Sequence, residues 1–202
     1  MLTKTEQVWR HLLVASFELG NRRHASLTAL ANELGFGVST VHKALQRPAD
    51  MGVVQIRGGG GVRVIDPDRF LLLWAGHRNL RADLLAEYAV DLSAPEVERL
   101  VPVDRFVLGG FGAVVSQQGG NFISGYDRVL CYGEPLDLPS SVREAQPGDT
   151  VVMVLEPDPL LRRYGKVTPL PQSYADLFNV PGWPAARFVS ALNARILDGS
   201  VA

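Results

Sequence analysis

Apolar residues recur at steps of three and four from Thr5 to Leu19, where Val8, Trp9, Leu12, Leu13 and Phe17 form one stripe. That period predicts an amphipathic helix. Gly20-Asn21 ends it, because either residue tolerates a left-handed cap. A second, shorter helix is expected over Leu27–Leu34, with Leu27, Leu30, Ala31 and Leu34 on one face and Ser26 as its N-cap. Gly35-Phe36-Gly37 reads as a turn, and a third helix follows over Ser39–Arg47 with Val38, Val41 and Leu45 as its inner stripe. Pro48 lacks an amide proton and crowds the preceding turn, so the pattern ends or kinks this helix near Arg47. Two β-rich arms, Val53–Arg57 and Val62–Ile65, flank Gly58–Gly61 and predict a hairpin with a glycine tip.

The pattern changes after Asp66. Asp66-Pro67-Asp68 opens a helix at Arg69 to about Gly76 whose apolar run, Phe70–Ala75, suits a linking helix packed between two halves. The segment Leu84–Leu92 fits a strand or the end of a helix. Ser93 and Glu96 have capping-box spacing and predict a short helix to about Leu100. Buried strands are expected at Arg105–Leu108, Arg128–Tyr132 and Thr150–Leu155, the last preceded by a Pro147-Gly148-Asp149 turn. A Gly109-Gly110 turn leads into a helix over Phe111–Gln118. The chain closes with helices at Pro171–Phe178 and Pro184–Leu197, separated by Pro181-Gly182. The fold class expected is α+β, with a domain over 1–66 and a mixed α/β domain over 67–202, entered through a linking helix at about 68–76.

Three helices and a hairpin, in that order, are the parts of a winged helix-turn-helix. The third helix presents Ser39, Thr40, His42, Lys43, Gln46 and Arg47 on its outer face. Those types suit double-stranded DNA. Lys43 and Arg47 can neutralise phosphates or donate to guanine, Gln46 can pair with an adenine edge, and Ser39 and Thr40 can meet a phosphate at the helix N-terminus. Arg57 and Arg63 flank the glycine tip, within reach of phosphates or a minor groove, and Arg22-Arg23-His24 precede the second helix where they can touch the DNA backbone. For any one of these residues, a solvated polar surface is the competing explanation.

The whole-chain charge conceals this signal. Twenty Lys and Arg stand against 21 Asp and Glu, a net charge of −1. Residues 1–66 hold eight bases and five acids and are +3, which leaves −4 for the remainder. Charge asymmetry of this kind points one part of the chain at a polyanion. No apolar run approaches the roughly 18 residues of a membrane span, and the N-terminus lacks a signal-peptide layout, so a cytoplasmic location is expected. Cys131 is the single cysteine, and His11, His24, His42 and His77 show no metal-ligand spacing, so neither a metal nor another cofactor is expected.

The segments after the hairpin carry a family resemblance. DPDRFLLLWA (Asp66–Ala75), RFVLGGFGA (Arg105–Ala113), VVMVLEPD (Val151–Asp158) and VTPLPQSYADL (Val167–Leu177) follow one another in an order similar to that of the antitoxins of abortive-infection (AbiEi-type) toxin–antitoxin systems. The resemblance covers most of the chain and rests on order more than on any one block. It implies a two-domain regulator that binds the operator of its own operon, with a C-terminal domain that supports repression or counters a nucleotidyltransferase-like toxin.

Enzymatic chemistry is not expected. A nucleotidyltransferase would need a carboxylate pair after Gly109-Gly110 to hold magnesium, yet no Asp or Glu lies between Gly110 and Tyr126, and Asp127 stands alone. No Gly-Lys-Ser/Thr follows to make a phosphate-binding loop. Cys131 reads as a buried thiol, since Arg128 lies on the opposite face of its strand. Tyr174 and Asp176 read as a packed aromatic and a helix cap, or as a partner-contact pair. The expectation is therefore a DNA-binding repressor, possible as a dimer on paired half-sites. The alternatives are a protein-interaction module that binds a toxin through its C-terminal domain, and a ligand-responsive regulator.

Overall fold

The computed structural model describes residues 1–59, 61–120, 123–135 and 148–197; Gly60 at the hairpin tip and Pro147 of the expected turn lie outside them. The architecture is α+β, with two separate sheets among the described residues. The chain divides into two compact units, Leu2–Arg78 and Asn79–Leu192.

The N-terminal unit runs α1 (Lys4–Phe17), β1 (Arg23–His24), α2 (Leu27–Leu34), α3 (Val38–Asp50), β2 (Val54–Ile56), β3 (Val62–Val64) and α4 (Pro67–His77). Its core is the apolar stripe anticipated from the sequence: Val8, Leu12 and Leu13 of α1, Leu30 and Ala31 of α2, and Val41 and Leu45 of α3 are almost wholly buried. Helix α1 begins earlier than its period shows, because Thr3 accepts from the Glu6 amide (3.2 Å) and Glu6 accepts from the Thr3 amide (3.0 Å). This reciprocal box satisfies first-turn donors that otherwise have no intrahelical partner.

Two expectations about α3 are corrected. Val38 is 41% exposed, so the inner stripe is Val41, Ala44, Leu45 and Pro48. The helix also continues through Pro48 to Asp50. Proline there deprives the carbonyl four residues back, that of Ala44, of its normal donor. The buried indole of Trp9 supplies one instead, with Nε1 donating to the Ala44 oxygen at 2.7 Å. The gap in the helical ladder is thus closed by a side chain from α1.

Helix α4 belongs to this unit, so the division falls later than the change of pattern at Asp66 suggested. Phe70 packs edge-on to Trp9, with ring centroids 5.9 Å apart. Trp74 Nε1 donates to Glu6 Oε1 at 3.4 Å, and Arg78 Nη1 lies 3.9 Å from the same oxygen. Asp66 caps the helix by accepting from the Arg69 amide at 3.0 Å.

The C-terminal unit contains β4 (Leu84–Val90), α5 (Ala94–Leu100), β5 (Val107–Gly109), α6 (Gly110–Gln117), β6 (Arg128–Tyr132), β7 (Thr150–Leu155), α7 (Leu170–Phe178) and most of α8 (Trp183–Leu197). The sheet order is β4-β7-β6-β5, antiparallel except for β6 and β7, which run parallel. The ambiguous Leu84–Leu92 segment resolves as a strand because β7 pairs along it. Alternation sets the two sheet faces. Val129, Cys131, Val152 and Val154 share one face with Ala94 and Val97 of α5, and Leu130 and Tyr132 take the other, where α6 and α7 lie. Among the described residues, no helix is long and apolar enough to cross a membrane.

Candidate nucleic-acid interface

Helix α2 leads into α3 through three residues. Ser26 caps α2 by accepting from the Ala29 amide at 2.9 Å. Gly35 then turns the chain at φ +70°, a conformation that costs an L side chain roughly 1–2 kcal/mol. The N-cap of α3 is Gly37, which has no side chain to cap the helix; the Thr40 amide donates to the Gly37 carbonyl at 3.0 Å, and the Val38 and Ser39 amides of the first turn are left for an external acceptor.

Beyond this turn, burial of Val41, Ala44, Leu45 and Pro48 orients the rest of the helix. Ser39, His42, Lys43, Gln46 and Arg47 are exposed, and Thr40 is half-buried. At 1.5 Å per residue, α3 is about 20 Å long. Five of the six residues expected on its outer face are therefore solvent-facing.

The hairpin region differs from the sequence expectation in one respect. The Arg22-Arg23-His24 segment supplies a third strand, and the sheet order is β1-β3-β2. In this register Arg23 lies opposite Arg63, and Arg63 lies opposite Gln55 on its other side. Since Val62 and Val64 are buried, alternation turns Arg63 to the outer face, giving a Gln55–Arg63–Arg23 row. Like charges placed directly opposite in a sheet destabilise it by a few tenths of a kcal/mol or more, and a bound anion would relieve that. Arg57 closes the loop with its amide donating to the Gly61 carbonyl at 2.8 Å. Arg23, Arg57 and Arg63 together line a concavity of about 300 Å³ floored by glycine backbone. Among the described residues, no carboxylate lies within ion-pair distance of Lys43, Arg47, Arg23, Arg57 or Arg63. Arg22 is exposed, but its charge acts on Asp68, whose pKa is raised by burial and by Asp66 and lowered in part by Arg22.

The structure assembles one group that sequence spacing did not reveal. His11 of α1, His24 of β1 and Glu33 of α2 place potential ligand atoms within 4.8 Å of one another. His11 Nε2 is 3.3 Å from Glu33 Oε1, and the two imidazole centroids are 5.7 Å apart. Burial, and then the neighbouring His11, lower the pKa of His24, and its Nε2 is buried without a hydrogen-bond partner. No linear motif links residues on three elements, so only the fold could have found this group. His77 instead packs against Trp9 in a tilted arrangement, with centroids 5.2 Å apart.

In the C-terminal unit, Cys131 is buried and its pKa is pushed up to about 12, which keeps it a thiol. Tyr174 and Asp176 are both buried, so they do not form a surface contact pair. Asp176 is not a cap either, because it accepts from the Tyr132 hydroxyl within the core. Gly109 ends β5 and Gly110 starts α6 at φ +52°. Glu98 was not anticipated. It is half-buried, accepts from the Tyr126 hydroxyl at 2.9 Å, and burial raises its pKa to about 7. On the α5 side of the sheet, Tyr88, Val97, Phe106, Cys131 and Val154 line an apolar cavity of about 200 Å³.

Comparison with protein-family models, with curated proteins and with solved structures found no match to this chain.

Proposed function

We propose that this protein is a sequence-specific DNA-binding repressor, not an enzyme. In this reading the N-terminal unit is a winged helix-turn-helix, α3 is its recognition helix and the β2–β3 hairpin is its wing. The observation that carries the proposal is the two-sided surface of α3, which buries Val41, Ala44, Leu45 and Pro48 and exposes Ser39, His42, Lys43, Gln46 and Arg47. A helix fits the roughly 12 Å major groove of B-form DNA, where Arg or Lys can donate to guanine and Gln can pair with adenine. The uncapped first turn of α3, with Ser39 and Thr40, suits a phosphate. The unpaired cations of the sheet, Arg23, Arg57 and Arg63, suit the flanking backbone or minor groove, with Arg22 beside them.

On the antitoxin resemblance, the operator is that of the protein's own operon, bound as paired half-sites by a dimer. The C-terminal unit would support repression or counter a nucleotidyltransferase-like toxin. The test is fluorescence anisotropy of the full chain with the duplex upstream of its own reading frame. Wild type should bind it in preference to an unrelated duplex. Lys43→Ala with Arg47→Ala should lose that preference with circular dichroism unchanged. An intact double variant with wild-type affinity would refute the assignment.

A second reading has one observation in its favour. The apolar cavity of about 200 Å³ in the C-terminal unit suits a small apolar ligand and hence a ligand-responsive regulator. A thermal-shift screen with small apolar metabolites tests it, and a flat profile counts against it.

A further inference from the structure

Of the trio His11, His24 and Glu33, only His24 borders the DNA-binding surface argued so far. The geometry of the trio is that of an incomplete coordination shell. A tetrahedral zinc site with bonds of roughly 2.1 Å has ligand–ligand edges of roughly 3.4 Å. The His11 Nε2 to Glu33 Oε1 separation, 3.3 Å, already matches one such edge, and the remaining separations lie within 4.8 Å. A ring nitrogen of His24 is buried without a hydrogen bond, which is costly for a polar atom unless a partner arrives.

We propose that His11, His24 and Glu33 bind a divalent cation of the zinc type, and that the ion fastens strand β1 to helices α1 and α2. Two imidazoles and one carboxylate select a borderline metal such as Zn²⁺ over Mg²⁺ or Ca²⁺, which prefer all-oxygen shells. Three protein ligands leave a fourth position for water.

The site has a mechanical consequence. Strand β1 is only two residues long and is held at the sheet edge by its pairing with β3. Alternation puts Arg23 and His24 on opposite faces, so a metal held by His24 steadies the strand that presents Arg23 beside Arg63. Metal occupancy should therefore strengthen duplex binding. That consequence rests on the DNA-binding reading, whereas the metal site does not.

The experiment uses the full chain stripped by a chelator. Co²⁺ is titrated by absorption spectroscopy and Zn²⁺ by calorimetry, and melting is followed with and without Zn²⁺. Wild type should take up one ion per chain, and its Tm should rise by several degrees at saturation. His11→Ala and His24→Ala should each weaken uptake at least tenfold. Glu33→Gln should weaken it too, and since this side chain is 58% exposed the variant tests the site without threatening the fold. His77→Gln should bind as wild type. The absence of stoichiometric uptake would overturn the site, as would uptake unchanged in His11→Ala and Glu33→Gln. Anisotropy with the upstream duplex should show tighter binding with Zn²⁺ in wild type and no zinc effect in Glu33→Gln. Zinc uptake without any change in duplex affinity would overturn the link to β1. A chain that takes up zinc but binds no duplex would refute the DNA-binding reading and leave the site standing.

Discussion

Pro48 sits inside a helix that continues past it, and the structure assigns the reason to one hydrogen bond. The Ala44 carbonyl, which the missing Pro48 amide leaves without its usual donor, accepts from Trp9 Nε1 at 2.7 Å in a buried setting. Trp9→Phe keeps an aromatic ring in the core but removes that donor. A buried carbonyl left unsatisfied costs about 1–3 kcal/mol, and the smaller ring adds about 1 kcal/mol for lost packing. The expected destabilisation is therefore about 2–4 kcal/mol. Packing loss alone could produce part of this, so a second perturbation is needed. Pro48→Ala restores a backbone amide whose natural acceptor is the same Ala44 carbonyl. In the Pro48→Ala background, Trp9→Phe should lose only the packing contribution, and its effect should fall by about 1–3 kcal/mol. The double-mutant cycle isolates this difference whatever Pro48→Ala does alone. Urea denaturation of the four full-length proteins, followed by circular dichroism at constant pH, provides the free energies. Effects that add within about 0.5 kcal/mol would refute the claim that Trp9 stands in for the missing amide.

Three further outcomes follow from other contacts. Glu98 has its pKa raised from 4.5 to about 7, so between these values the folded chain retains a proton that the unfolded chain has released. Stability gained this way is fully present below about pH 4.5 and is lost as pH rises through about 7, by at most about 3 kcal/mol. Denaturation at pH 5 and pH 8 should show that fall in wild type, and Glu98→Gln should flatten it. Glu6→Ala removes the capping box of α1 and the acceptor for Trp74, and should cost about 2–4 kcal/mol by urea denaturation. A loss below about 0.5 kcal/mol would mean that α4 is held by apolar packing alone. On the DNA-binding reading, Arg57→Ala with Arg63→Ala should reduce the slope of log affinity against log salt by about 2. An unchanged slope would remove the hairpin from the interface.

Much of the N-terminal unit was legible because its determinants are local. The period of Val8, Leu12 and Leu13, the Ser26 cap and the Gly35 turn each act within a few residues of chain. The same holds for the outer face of α3, which follows once Val41 and Leu45 are known to point inward. Val38 misled because its place on the stripe is at the helix end, where little packs over it. Propensity alone stops α3 at Pro48, since the sequence near a proline does not show which distant side chain can replace its amide. Strand β1 is two residues long and exists only through its pairing with β3, so no alternation could announce it.

The sequence by itself determined most helices of the N-terminal unit, the hairpin and where the cations lie. These follow from short-range sterics, capping and periodicity. Tertiary structure decided that α4 joins the first unit, that Arg23 comes opposite Arg63, that Trp9 completes α3, and that His11, His24 and Glu33 meet. Each of these depends on contacts between residues far apart in the chain. Such contacts are chosen by burial and hydrogen-bond satisfaction across the whole core, and that choice leaves no local mark in the sequence.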